Sequence, residues 1–150
     1  MNIADIGSAI ADLFGKVEAP IGYVDLQRST FLRQAGTGKL PLAVTTWVGT
    51  RDLTYGFGRR EGIAGYVTTI YFPKAKDDAT TDATLQAWHD VLIDALLGNL
   101  QLDQWATANG VDGAYVRSIT PGEAQLGEPY LAALEVAIEV HFEHAVARSA

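Results

Sequence analysis

Apolar residues near the beginning of the chain recur every three or four positions, which is the spacing of one face of a helix. Asn2 precedes them and belongs to a residue type that favours the N-cap position. A second set with the same spacing is followed by Gly98, and glycine is common just after a helix end. The pattern therefore predicts two amphipathic helices. Their apolar stripes are Ile3, Ile6, Ile10, Leu13, Phe14 and Val17, and Leu85, Trp88, Val91, Leu92, Ala95 and Leu96.

Two stretches in the middle of the chain, LAVTTWVG at 42–49 and GYVTTIYF at 65–72, are rich in β-branched and aromatic residues. Such residues suit a half-buried sheet, so both stretches are predicted strands. The glycine-rich sequence between them is too long for a tight hairpin. We expect the two strands to continue as a projecting arm or loop, with Tyr55, Phe57, Arg59 and Arg60 at its tip.

The remaining connections give weaker patterns. Residues 23–27 are predicted as a short strand within a long polar connection, and residues 100–109 as a helical turn. Residues 114–119, AYVRSI, are typical of a strand, and Pro121-Gly122-Glu123 is predicted to turn the chain.

Residues 130–144, YLAALEVAIEVHFEH, combine helix-favouring residues with a His-x-x-His pair. In a helix the apolar residues of this segment would scatter around the axis, whereas in a strand they share one face. We therefore predict a long C-terminal strand. The residues on its apolar face are Leu134, Val136, Ile138, Val140 and Phe142.

The strand interpretation removes an apparent metal site. His141 and His144 are three positions apart, so they point to opposite faces of a regular strand. The order of residues also differs from His-Glu-x-x-His, and the chain has no cysteine. We expect neither a metal nor a cofactor.

The candidate nucleotide-binding and catalytic motifs lack the neighbouring residues or elements that their chemistry needs. The sequence AGTGKL at 35–40 suggests a phosphate loop, but Leu40 replaces the hydroxyl residue and Pro41 opens a strand. No helix start follows the glycines at 56–62 to receive a pyrophosphate, and no serine stands in a nucleophile elbow. We expect a protein that is not an enzyme.

The overall charge narrows the choice of partners. Eleven basic and eighteen acidic side chains give a net charge of −7, which opposes non-specific attraction to nucleic acid or anionic lipid. No apolar run is long enough to span a bilayer, so we expect no membrane contact. The arm tip could bind nucleic acid, form a protein interface or be a solvated loop, and the acidic whole favours the interface. The residues assigned to it are Arg51, Tyr55, Phe57, Arg59, Arg60 and Glu61.

The predicted elements occur in the order helix, strand, projecting loop, strand, helix, strand and long last strand. In this order the chain resembles the tail terminator proteins of long-tailed bacteriophages, which end the growth of the tail tube. The likeness covers most of the chain, and it implies that residues 1–150 form a single domain. The segments that carry it are the first helix, LPLAVTTWVG, GYVTTIYFP, ATLQAWHDVLIDALLGN and AYVRSITPGEAQLGEPYLAALEVAIEV.

The resemblance implies an α+β subunit with a mostly antiparallel sheet and two main helices packed on one face. It further implies a homohexameric ring, located in the virion at the head-proximal end of the tail and assembled in the host cytoplasm. Its partners would be other copies of itself, the tail tube protein and neck or head-completion proteins, and DNA would pass through without specific binding. Because each helix has a single apolar stripe, the helices can cover one sheet face, and we expect Trp47 and Tyr71 to lie on the other face.

Alternation along the last strand adds a hypothesis of its own. Glu135, Glu139 and Glu143 fall on one face and are predicted to form an acidic row facing water or the ring channel. Two rival functions stay open. One is a head-to-tail connector or stopper protein of the neck, and the other is a small α/β ligand-binding domain or enzyme with a pocket on the sheet.

Overall fold

A computed structural model describes residues 2–31, 40–56, 59–99, 111–125 and 130–145, and these residues form seven helices and strands. The strands join in one open five-stranded sheet of order β1-β2-β3-β5-β4, in which β1 and β2 are parallel and every other pair is antiparallel. This confirms the α+β class and the mostly antiparallel sheet. The elements are α1 (Ile3–Gly15), β1 (Arg28–Phe31), β2 (Leu42–Gly56), β3 (Arg59–Phe72), α2 (Asp78–Asn99), β4 (Val111–Gln125) and β5 (Tyr130–Ala145).

Both helices lie on the same face of the sheet, with α1 over β1, β2 and β3 and α2 over β5 and β4. Asn2 caps α1, because its Oδ1 accepts hydrogen bonds from the backbone of Ala4 at 2.9 Å and of Asp5 at 3.2 Å. The apolar stripes of the two helices enter one core with the sheet. Its fully buried side chains include Ile6, Ile10, Phe14, Trp88, Leu92 and Leu96.

The C-terminal segment is a strand, as the alternation of its apolar residues predicts. β5 is the second strand from one edge and pairs with β3 and β4 along its length. The side chains at 134, 136, 138, 140 and 142 are buried on the helix-covered face. Period-two burial therefore prevails over the helix propensity of Ala, Leu and Glu in this segment.

The predicted bounds of two strands are wrong. The strand expected at 23–27 lies instead at Arg28–Phe31. Pro121, Gly122 and Glu123 do not turn the chain but continue β4, opposite Leu134, Ala133 and Ala132 of β5. β4 is an edge strand, where proline is tolerated because one row of backbone N–H groups needs no partner. The helical turn expected at 100–109 lies outside the described residues.

The projecting arm is broader than the sequence suggests. β2 and β3 stay paired from Leu42–Tyr71 out to Gly56–Arg59, and β5 accompanies β3 as far as the pair Arg59–Ala145. The extension is thus three strands wide rather than a two-stranded hairpin.

Candidate interaction surface

Two irregularities in β2 shape the extended part of the sheet. The register with β3 shifts between Trp47 and Gly49 and again between Arg51 and Thr54. Gly49 has φ 127° and Asp52 has φ 54°, and both values lie in a region that favours glycine and tolerates aspartate. β1 pairs with β2 only as far as Thr45. Beyond that residue, β2 has no neighbouring strand on its outer side within the described part of the chain.

Three large apolar side chains are exposed on this free edge: Trp47 by 45%, Val48 by 61% and Leu53 by 55%. We call these three residues the edge patch. The Trp47 indole N–H donates to the Thr50 hydroxyl at 3.2 Å, which orients the ring. Exposed apolar side chains along a strand edge are typical of an interface and a liability for a solitary monomer.

The expected position of Trp47 on the uncovered sheet face is wrong. Trp47 lies directly opposite Tyr66, whose hydroxyl donates to the α1 backbone at Ile3 at 2.9 Å, so both residues are on the helix side. Tyr71 is on the uncovered face as expected. It is buried there in a small cluster with Leu42, Val44 and Leu131.

An ion-pair network occupies the other end of the uncovered face. Arg51 Nη2 donates to Glu139 Oε1, and Arg117 Nε donates to Glu139 Oε2 at 2.6 Å. The strand order explains this network. β2 and β4 lie on opposite sides of the β3–β5 pair, so the Arg51 and Arg117 side chains approach Glu139 of β5 from opposite directions. The two guanidinium groups lower the pKa of Glu139 to about 2.

An aromatic pair borders this network. The rings of Tyr115 and His141 meet edge to face with centroids 5.0 Å apart, and Arg117 Cζ lies 5.8 Å from the Tyr115 centroid. His141 Nε2 is 3.6 Å from Glu139 Oε2, which is too long for a hydrogen bond. The His141 side chain is 35% exposed and packs against the Tyr115 ring. The side chain of His144 lies outside the described part.

The predicted acidic row is not uniform. Glu135, Glu139 and Glu143 share the uncovered face, since β5 is regular between them. Glu135 is exposed, whereas the Glu139 side chain is only 13% exposed and is neutralised by its two arginines. Whether the row faces a channel stays a prediction.

The structure distributes the predicted arm residues over two strands. Arg51 and Tyr55 lie in β2, and Arg59, Arg60 and Glu61 lie in β3. The Arg51 side chain reaches across the sheet and donates a hydrogen bond to Glu139. Phe57 and the side chains of Tyr55, Arg59 and Arg60 lie outside the described part. The edge patch could not be predicted from the sequence, because the exposure of Val48 and Leu53 depends on the two register shifts in β2.

No model of a known protein family matches the chain, and no curated protein matches it.

A cleft of about 330 Å³ lies between the beginning of α2 and β4. The Lys74 ammonium donates to Glu123 Oε1 at 2.9 Å at its rim. Its other lining residues are Asp78, Thr81, Asp82, Leu85, Pro121, Gly122 and Ala132.

The described residues contain no group of three or more His, Asp or Glu side chains placed to hold a metal ion. Within the same part of the chain, neither helix is long and apolar enough to cross a membrane.

Proposed function

We propose that this chain is the subunit of a ring that caps the tail tube of a long-tailed bacteriophage. The ring stops tube polymerisation and provides the joint to the neck and head. The observation that supports this best is the edge patch, whose exposed apolar side chains lie along the part of β2 that has no outer neighbour among the described residues. A surface of that kind suits contact between protein subunits.

The mechanism in this proposal is geometric and involves no catalysis or cofactor. One face of the ring reproduces the contacts that the last tube ring offers and binds there. The opposite face presents a surface that tube subunits cannot extend but neck proteins recognise. The arm residues Arg51, Tyr55, Phe57, Arg59, Arg60 and Glu61 supply the reaching element.

The uncovered sheet face is proposed to border the channel, with Glu135, Glu139 and Glu143 on it. Because Arg51 and Arg117 neutralise Glu139, the field of this face is weaker than three free carboxylates would give. The remaining negative charge would repel DNA, so DNA would slide through without specific contacts.

Incubation with isolated tail tubes and with DNA-filled heads tests the assignment. A tail terminator binds the tubes unaided, and electron microscopy would show it at one tube end. A neck connector or stopper would bind the heads instead. Binding to heads alone would contradict the proposal and support the rival.

The cleft beside α2 favours one further candidate, a ligand-binding domain. Its volume of about 330 Å³ is at the lower limit of small-molecule pockets. Such pockets are mostly apolar, whereas this cleft is bordered by Lys74, Asp78, Asp82 and Glu123. The cleft therefore supports a ligand site less than the edge patch supports assembly. Native mass spectrometry separates the two, because a ring of six favours assembly and a ligand-responsive dimer favours the pocket.

A further inference from the structure

The turn that follows α1 carries apolar side chains on its outside. Ile21 is 102% exposed, Val24 is 62% exposed and Tyr23 is 38% exposed. We call these three residues the apolar turn. Neighbouring apolar side chains that a folded chain leaves in water indicate a place where it meets a partner.

Hydrogen bonds hold the apolar turn in one shape. The Tyr23 backbone N–H donates to the Pro20 carbonyl at 3.0 Å, and Gly22 has φ 89°, which is close to the value that the third position of a type II turn needs. At the base of the turn, the Ala19 N–H donates to Asp25 Oδ1 at 2.9 Å. Because the turn is already ordered, a partner that binds it loses little conformational entropy.

The apolar turn lies at the end of the sheet opposite the arm. The backbone N–H of Gln27, which follows the turn, donates to the carbonyl of Pro41 at 2.8 Å, directly before the first residue of β2. The arm is at the other end of β2, where Gly56 pairs with Arg59. β2 has 15 residues, so at roughly 3.3 Å per residue these two ends are up to about 45 Å apart. A partner bound at the arm therefore leaves the apolar turn free for a second partner.

We infer that the apolar turn is the contact to the neck or head-completion protein, and that it inserts into an apolar pocket on that partner. This inference rests on the proposed function, in which the arm is the reaching element that meets the tail tube. Because the arm and the apolar turn are at opposite ends of the sheet, a ring whose arms meet the tube presents its apolar turns toward the neck.

Chemistry and size favour this occupant over the others. Residues 19–25 contain no lysine or arginine, so the turn offers no cation to a nucleic acid backbone or to anionic lipid. Three side chains cover far less than the roughly 800 Å² per partner that a stable protein pair buries, so the apolar turn alone does not hold two copies together. A ring presents one apolar turn per subunit to the same neighbour, and such repeated weak contacts add up to firm binding.

The turn variant, Ile21→Ser with Val24→Ser, tests the inference. Tail tubes are capped with the parent chain or with the variant and are then mixed with DNA-filled heads, and joined particles are counted by electron microscopy. The variant should cap tubes as the parent does, because the arm is unchanged. It should join about 10-fold fewer heads, as loss of an interface hot spot does.

Ile21→Val with Val24→Ile is the matched control, since it keeps two aliphatic side chains at the same exposed positions. This control should join heads like the parent chain. Circular dichroism should show that both variants are folded, because neither changes a buried residue.

Several results would overturn the inference. One is a turn variant that joins heads as often as the parent does, and another is a folded turn variant that no longer caps tubes, which would put the apolar turn on the tube side. Loss of self-association in the turn variant, measured by native mass spectrometry, would identify a second copy as the occupant. Sedimentation of the parent but not the turn variant with phosphatidylcholine vesicles would identify a lipid surface.

Failure of the proposed function gives a different result. A parent chain that leaves tubes uncapped but binds isolated heads contradicts the capping function, and the inference stands if the turn variant then loses head binding. A parent chain that caps tubes whose joining to heads does not depend on the apolar turn keeps the function and overturns the inference. A parent chain that binds neither tubes nor heads contradicts both.

Discussion

Thr45 and Thr68 share a hydrogen bond of 2.7 Å between their hydroxyl groups, and both side chains are completely buried. They face each other across β2 and β3 beneath the helices. Thr45 is also the last residue of β2 that pairs with β1 among the described residues.

Replacing one member of the Thr45–Thr68 pair should destabilise the protein by about 1–3 kcal/mol, because the remaining buried hydroxyl loses its partner. Thr45→Val and Thr68→Val together should cost less than the sum of the single changes, since no polar group is then left unpaired. Urea unfolding of the four proteins of this cycle measures the difference. Additive costs would show that each hydroxyl has another partner.

Gly7 allows α1 to approach β1 closely. A Cβ atom at this position would overlap the Phe31 ring, whose centroid is 6.4 Å from that of Tyr66. Gly7→Ala should therefore lower stability by about 1–3 kcal/mol, although alanine favours helix more than glycine does. Thermal unfolding measures the change.

Gly15→Ala is the matched control for Gly7→Ala. A Cβ atom there would lie 3.6 Å from Ser29 Cβ, which is an ordinary contact. This change should be neutral or stabilising because it restricts the unfolded chain. Equal losses from both variants would mean that the Phe31 contact is not the cause.

The pH dependence of the unfolding free energy should reveal how much the ion pairs of Glu139 stabilise the fold. Its pKa is lowered to about 2, chiefly by hydrogen bonds from Arg51 and then Arg117. A group with a lowered pKa adds stability above its unfolded value and loses it as the pH falls through the folded value. The excess stability of the parent chain over Glu139→Gln should thus be constant near neutral pH and shrink as the pH falls from about 4.5 toward 2.

Glu135→Gln serves as the control for the pH experiment, since Glu135 is exposed on the same strand and has no ion pair among the described residues. Its difference from the parent chain should change less over the same acidic range. If the two variants follow the same curve, the arginine network does not stabilise the folded state.

Trp88 anchors α2 to the sheet. It is fully buried, and its ring centroid is 5.4 Å from that of Phe72. Trp88→Ala should cost about 3–5 kcal/mol because the cavity cannot fill completely. Gln86→Ala, on the exposed side of the same helix, should change stability by less than about 0.5 kcal/mol in the same denaturant experiment. A small loss at Trp88 would indicate that α2 repacks.

Elements with strong periodicity could be predicted from the sequence. The stripes of α1 and α2 and the alternation from Leu134 to Phe142 each repeat often enough to identify the element. Pro121 and Gly122 were misleading because both residue types favour turns, yet an edge strand accepts them.

The interaction surface was far less predictable. Arg51 and Glu139 are 88 positions apart, and their contact depends on the register of three strands. Exposure of Val48 and Leu53 likewise depends on two register shifts in β2. No local pattern in the sequence encodes such shifts, because they reflect how the whole sheet pairs.

The most direct test of the proposed capping function is tube growth in the presence of the protein. Purified tube protein is allowed to polymerise, the chain is added, and tube lengths and ends are measured by electron microscopy. The proposal predicts that elongation stops and that a ring of this protein sits at one end of each tube. Tubes that continue to lengthen, with no ring at either end, would contradict it.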